Sequence, residues 1–287
     1  MPATHADGGS DPVRAARAAL RVERRRVVDE REAFRAFGAR VSSIPDESVD
    51  SGPADPAAAD RFAGVGGAAG GAVGGSGGGA ASPGSRLVAV RDAYRATVMS
   101  VPHYETEYDD TYERSVAEEF GPELAYALTR TNRFHEEYKE SLLSAVETAV
   151  RDREAFLDAV ESEIESVQRA GSRLDPIRSE VGAIEDEIGL TGSEGTDGAG
   201  VDDYGFGALD ACRTRTGALR DDCDRIAARR QRVLAEHERR LATDHLDLPA
   251  YCYQGLDVTY PVLAAVGALG DRLTSLRSRI ERAMGRG

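Results

Sequence analysis

Histidine, cysteine and lysine are scarce in this chain, and the spacing of the few that occur decides which chemistries are open to it. A carboxylate-bridged pair of metal ions in a helical bundle is built from Glu-x-x-His, which sets both ligands on one helix face. The residues three positions before His103, His135, His237 and His245 are Ser100, Asn132, Leu234 and Ala242, so the motif is missing. His-Glu-x-x-His, the helical zinc motif, is missing too. His103, Glu105 and Glu107 offer three ligands from one short segment, and Asp197, Asp202 and Asp203 offer oxygens from a glycine-rich loop. The loop lacks the twelve-residue spacing of an EF-hand. Both groups read more simply as solvated acidic loops of an acidic protein. No metal and no cofactor is expected.

Lys139 is the only lysine. A Walker loop needs Gly-Lys followed by Ser or Thr, because the ammonium must reach the phosphates. Lys139 precedes Glu140, and the glycine run at 64–84 has no lysine at all. Cys212, Cys223 and Cys252 form no Cys-x-x-Cys pair, and an odd number argues against a disulfide framework. Cys212 and Cys223 fall on a helical seam, where a free thiol behaves as a small apolar group. A catalytic cysteine needs a paired base, and none is supplied. The chain therefore reads as non-enzymatic, with no small-molecule substrate in evidence.

Two other residue types cluster. Arg14, Arg17, Arg21, Arg24, Arg25, Arg26, Arg31, Arg35 and Arg40 crowd one segment, and Arg272, Arg277, Arg279, Arg282 and Arg286 another. Clustered arginines bind nucleic-acid phosphates by releasing counterions, but concentrated salt weakens that attraction. Consecutive arginines on a helix point about 100° apart and make no single patch. Pairing with the acidic stretch 103–203 is the preferred reading, and nucleic-acid binding the alternative. Tyr104 and Tyr108 in one turn, and Tyr251, Tyr253, Tyr260 and Pro261 in another, collect half of the ten tyrosines. Tyrosine is enriched at interfaces because its ring is apolar and its hydroxyl tolerates water. These six residues are the candidate partner surface, or else plugs at an end of a bundle.

The elements that must position these groups are helical. From Leu142 to Ile188 apolar residues recur in alternating three- and four-residue steps: Val146, Val160, Val167, Leu174, Val181 and Ile188 in one series, Leu142, Ala149, Phe156, Ala170, Ile177 and Ile184 in the other. A helix of that length is about 70 Å long and cannot bury its own seam. The spacing predicts an all-α, elongated antiparallel coiled coil or helical bundle. A polar tail (1–10) precedes a basic helix (11–44) that opens on Asp11-Pro12, a carboxylate cap before a first-turn proline. A Gly/Ala-rich stretch (45–84), read as a disordered linker with a reach of about 35 Å, comes next. The bundle proper (85–287) has a cap at Ser85, a long helix (about 132–188), a loop (189–207), a return helix (about 208–242) and a C-terminal helix (about 258–284). Asp175-Pro176 kinks or breaks the long helix. Glu23, Glu30, Arg153 and Glu163 occupy seam positions, where charge needs a partner that fixes register. A second copy of the chain could supply it.

The formal net charge is −14, Trp is absent, and almost every base is arginine. Carboxylate-rich, lysine-poor composition suits the cytosol of a salt-loving archaeon, and the polar, acidic start has no signal-peptide pattern. The most apolar run, Val258 to Leu269, is shorter than the roughly 20 residues of a membrane span. The expectation is a soluble cytoplasmic protein.

Three segments, ERRRVVDEREAF (23–34), RDAYRATVMSVPHYETEY (91–108) with EEFGPEL (118–124), and YCYQGLDVTYPVLAAV (251–266), resemble an uncharacterised family of haloarchaeal proteins, a domain of unknown function. The resemblance implies a helical protein of halophilic origin and carries over no functional residues. Taken with the residues, it points to a structural protein acting through protein–protein contact or self-association.

Overall fold

The computed structural model of the 287-residue chain describes residues 11–45, 84–188, 205–240 and 247–286. The tail at 1–10, nearly all of the Gly/Ala-rich stretch, and the loop carrying Asp197, Asp202 and Asp203 lie outside the described residues. Every regular element among the described residues is helical: α1 (Pro12–Ser43), α2 (Ser85–Arg95), a 3-10 turn (Val98–Ser100), α3 (Tyr104–Glu107), α4 (Tyr112–Phe120), α5 (Pro122–Arg130), α6 (Glu136–Glu187), α7 (Phe206–Arg240), α8 (Leu248–Cys252) and α9 (Pro261–Met284). The long helices α1, α6, α7 and α9 make an all-α bundle. The chain divides into two units, Met1–Arg25 with Phe156–Gly287, and Arg26–Ala155. The boundaries fall inside α1 and α6, so each of these helices contributes to both units.

Local chemistry sets the helix ends. Asp11 accepts the backbone N–H of Val13 at 3.1 Å, which anchors the first turn of α1. The expected cap at Ser85 is replaced by Gly84, whose φ of 84° suits a residue without a Cβ, and no side chain caps α2. Thr131 donates to the Ala127 carbonyl at 2.6 Å and so closes α5. It is thereby unavailable to open the long helix, which starts at Glu136. Pro176 neither breaks α6 nor shifts its phase, since Leu174, Ile177 and Val181 around it are all buried.

In the first unit Val160, Val167, Leu174, Val181 and Ile188 of the seam form one core with Val13, Ala16 and Leu20 of α1, Leu209, Cys212, Cys223 and Ile226 of α7, and the buried face of α9. Side-chain pairs give the helix directions. Asp11 bonds to Arg178, Arg17 to the Gln168 carbonyl and Arg24 to Glu161. On α7, Arg215 reaches Glu180 and Glu187, and Arg230 reaches Glu163. Ascending numbers on α1 and α7 thus meet descending numbers on α6. Most of the α1 arginines that have acceptors find them on carboxylates, in line with intramolecular pairing.

In the second unit Phe34, Phe37 and Val41 of α1 join Val90 and Tyr94 of α2, Tyr112 and Val116 of α4, and Leu142, Val146 and Ala149 of α6. Its centre is aromatic: Tyr94 meets Phe37 edge-on at 5.1 Å and Tyr112 at 5.6 Å. The Tyr94 hydroxyl shares a 2.8 Å hydrogen bond with Ser115, which satisfies a polar atom in the middle of that core.

Two glycines of α6 separate close packing from mere helix weakening. A Cβ at Gly171 would fall on the Arg17 guanidinium and 3.2 Å from Val13 Cγ1, whereas one at Gly182 meets nothing within 4 Å. Gly182→Ala is expected to raise stability by about 0.5–1 kcal/mol, the helix-propensity gain alone. Gly171→Ala should lose stability despite the same gain, because Arg17 must leave the Gln168 carbonyl. Urea midpoints of the two variants check both signs.

Candidate functional site

The chemically densest place in the chain is buried. Glu163 stands on the α6 seam and is fully excluded from solvent, and the Arg230 and His237 that α7 presents seven residues apart are buried with it. Arg230 forks onto the carboxylate, Nη2 donating to Oε1 at 2.5 Å and Nη1 to Oε2 at 2.7 Å. Nη1 also donates to Ser166 Oγ at 3.0 Å. Tyr253, the residue that closes α8, donates its hydroxyl to Glu163 Oε1 at 2.5 Å. His237 sets Nδ1 3.5 Å from Glu163 Oε2, and its Nε2 lies 3.4 Å from Ser162 Oγ. The α8 turn that delivers Tyr253 is fixed by Asp247, which accepts from the Ala250 N–H at 3.1 Å.

This arrangement suits positioning. Both oxygens of Glu163 are engaged by donors. Burial opposes the Arg230 charge, but the hydrogen bonds and charge of Glu163 outweigh it and hold the guanidinium protonated. Burial, and then the neighbouring Glu163 charge, raise the Tyr253 phenol far above the ordinary tyrosine value.

The second unit holds a shallower cluster. Arg153 donates to Glu119 at 2.6 Å and to Glu30 at 3.3 Å, and its guanidinium lies 4.6 Å over the Phe34 ring. Glu30 also takes the Tyr108 hydroxyl and meets His103 Nε2, each at 3.0 Å. Glu30, Arg153 and Glu163, three of the seam charges expected to need a second copy, are therefore matched within the chain. Glu23, the fourth, is buried in the first unit.

The six candidate surface residues split. Tyr108, Tyr251 and Tyr260 are exposed, whereas Tyr104, Tyr253 and Pro261 are buried. A buried side chain cannot line a partner surface, so those three leave the set, Tyr253 to the Glu163 network. Tyr104 and Tyr108 belong to the second unit and the rest to the first. Tyr126 and Phe206, which the sequence did not single out, are the most exposed aromatics among the described residues, at 67% and 66%.

Cys212, Cys223 and Cys252 are free and buried, and burial pushes the Cys252 thiol up to about 12. No group of three or more His, Cys, Asp or Glu among the described residues could hold a metal ion. No helix among them is long and apolar enough to cross a membrane.

Residues 11–277 match the family described as Domain of unknown function (DUF7260). The chain belongs to that family. No curated protein and no solved structure matches it. The family description names no reaction or ligand, so any role rests on the residues themselves.

Those residues make alkaline pH a sensitive probe. Burial raises Tyr94 and Tyr253, and pushes Tyr112 up to about 12 from an ordinary value near 10. A phenol whose folded pKa is raised contributes stability that is complete below the unfolded value and lost as pH climbs through the folded one. Unfolding should therefore set in above pH 10. Tyrosinate absorbance from these three should appear together with loss of the helical dichroism. Their early ionisation in a still-helical protein would contradict the burial described.

Proposed function

We propose that this domain is a non-enzymatic, monomeric interaction module that meets a protein partner through exposed aromatic side chains. The observation that carries the reading is the use of its interior charge. Glu163 and Arg230 hold one another, with Tyr253 and His237 around them, and burial keeps the Cys252 thiol protonated. What is left at the surface for recognition is aromatic, with Tyr251 and Tyr260 exposed within ten residues of each other. Three-four spacing and opposed residue pairs support reading α6 and α7 as an antiparallel coiled coil. The acidic, lysine-poor composition supports a cytoplasmic protein of a concentrated-salt, haloarchaeal cell.

A photo-crosslinking residue placed at 251 or 260 in the full chain, inside its native cell, tests this. The expected result is one identified protein joined at both positions and not at the control position 14. No adduct at either aromatic position would overturn the reading. Stoichiometric metal in the purified protein would overturn its non-enzymatic part.

A second reading has one observation in its favour. Arg14, Arg21 and Arg25 are exposed, share one face of α1 by their spacing, and pair with no carboxylate among the described residues. On this reading the stripe binds nucleic acid with a steep salt dependence, lost when the three become glutamine.

A further inference from the structure

In the first unit a cavity of about 40 Å³ opens between α6 and α7, with Arg169, Arg173, Arg229 and Arg230 among its lining residues. Four arginines line this small space, and guanidinium charges brought close together favour an anion among them. Two are matched: Arg230 by Glu163 at 2.5 Å, and Arg169 by Glu165 at 2.9 Å. Arg173 and Arg229 pair with no acceptor among the described residues, which leaves two positive charges in a chain of net charge −14. Ser166, also in the wall, is 7% exposed. It accepts from Arg230 at 3.0 Å, and its own proton is donated to no acceptor among the described residues. The cavity is thus lined by two arginines with no carboxylate partner among the described residues and by a buried hydroxyl. Guanidinium forks match the oxygens of phosphate and sulfate, and a space of this size exceeds the ~10–15 Å³ that a single water requires.

We propose that this cavity is a binding site for one tetrahedral oxyanion, a phosphate or sulfate group. Arg173 and Arg229 close over it from the two helices, and Ser166 donates from the wall. Arg230 connects the site to the buried carboxylate, so an anion here also braces α6 against α7. The site goes beyond the interaction reading and stands or falls separately from it.

Inorganic phosphate titrated into the full chain at constant ionic strength, followed by calorimetry, tests the proposal. Saturable binding is expected. The double variant R173Q/R229Q should weaken it by roughly tenfold or more, since it removes two charge-assisted hydrogen-bonding groups, while R14Q should not. Because both side chains are exposed, circular dichroism should show the double variant as helical as the parent. R229K keeps the charge without the fork, and an intermediate weakening supports the same geometry. Equal binding by the parent and the double variant, or no saturable binding by the parent, would overturn the site. Glycerol phosphate in place of phosphate separates the sources. Tighter binding assigns the group to a small organic phosphate, and equal or weaker binding to the free ion.

Discussion

Glu163→Leu is expected to cost about 3–5 kcal/mol of stability, because it strands the buried Arg230 guanidinium without the carboxylate onto which it forks. The loss combines the unpaired charge with the Tyr253 hydroxyl, which gives up its acceptor in the same step. Charge, more than volume, carries the effect: leucine fills the seam position as well as its neighbours Val160 and Val167 do. The second change Arg230→Met should therefore restore much of what the first removed, since an apolar pair of similar size is often as stable as a buried ion pair. A double-mutant cycle of urea midpoints, with slopes compared to confirm a common unfolded state, measures the coupling. Unchanged stability in Glu163→Leu would mean that the network does not hold α6, α7 and α8 in register.

Deleting the first 84 residues should be more damaging still. Helix α1 supplies Val13, Ala16 and Leu20 to one core and Phe34, Phe37 and Val41 to the other, and all six are buried. It also brings Asp11, Arg17 and Arg24 to α6 in the first unit, and Glu30 to Arg153 in the second. A chain beginning at Ser85 would expose apolar surface in both units at once. At about 1.5–3 kcal/mol for each large side chain returned to water, the loss is comparable to the whole stability of a typical domain. Such a chain is expected to lose cooperative unfolding or to aggregate. A synthetic peptide of residues 11–45 added in trans should recover helical signal and a melting transition. A truncated chain that melts like the parent would show α1 to be an accessory arm.

The fold was legible in the sequence wherever apolar spacing was strict. The α9 positions Val262, Val266, Leu269, Leu273, Leu276, Ile280 and Ala283 fall on one face by spacing alone, and all are buried. The Asp11-Pro12 opening of α1 was legible because one side chain caps the turn two residues on. The start of α6 was not: the helix expected from about 132 opens at Glu136, after Thr131 has closed α5.

The buried network was half legible. Glu163 stood out as a charge on a seam, but its partner did not, because the apolar series of α7 skips from Ile226 to Val233. Continuing the three-four step across that gap lands on Arg230, and then on His237. Both were visible as seam positions, had charged residues been allowed there. Tyr253 could not be reached this way. It comes from a short turn whose direction depends on tertiary packing, and its ring therefore read as surface rather than interior. The cavity between α6 and α7 was likewise out of reach, since its arginines come from positions remote in sequence.

Absolute mass by light scattering, on the full chain in molar KCl, bears most directly on the claim that one copy closes its own seams and matches its own buried charge. The expected result is a single species at the monomer mass of 30.6 kDa, unchanged on dilution. A stable dimer, above all one that survives dilution and falls apart when α1 is removed, would mean that α1 is exchanged between copies and would contradict the claim.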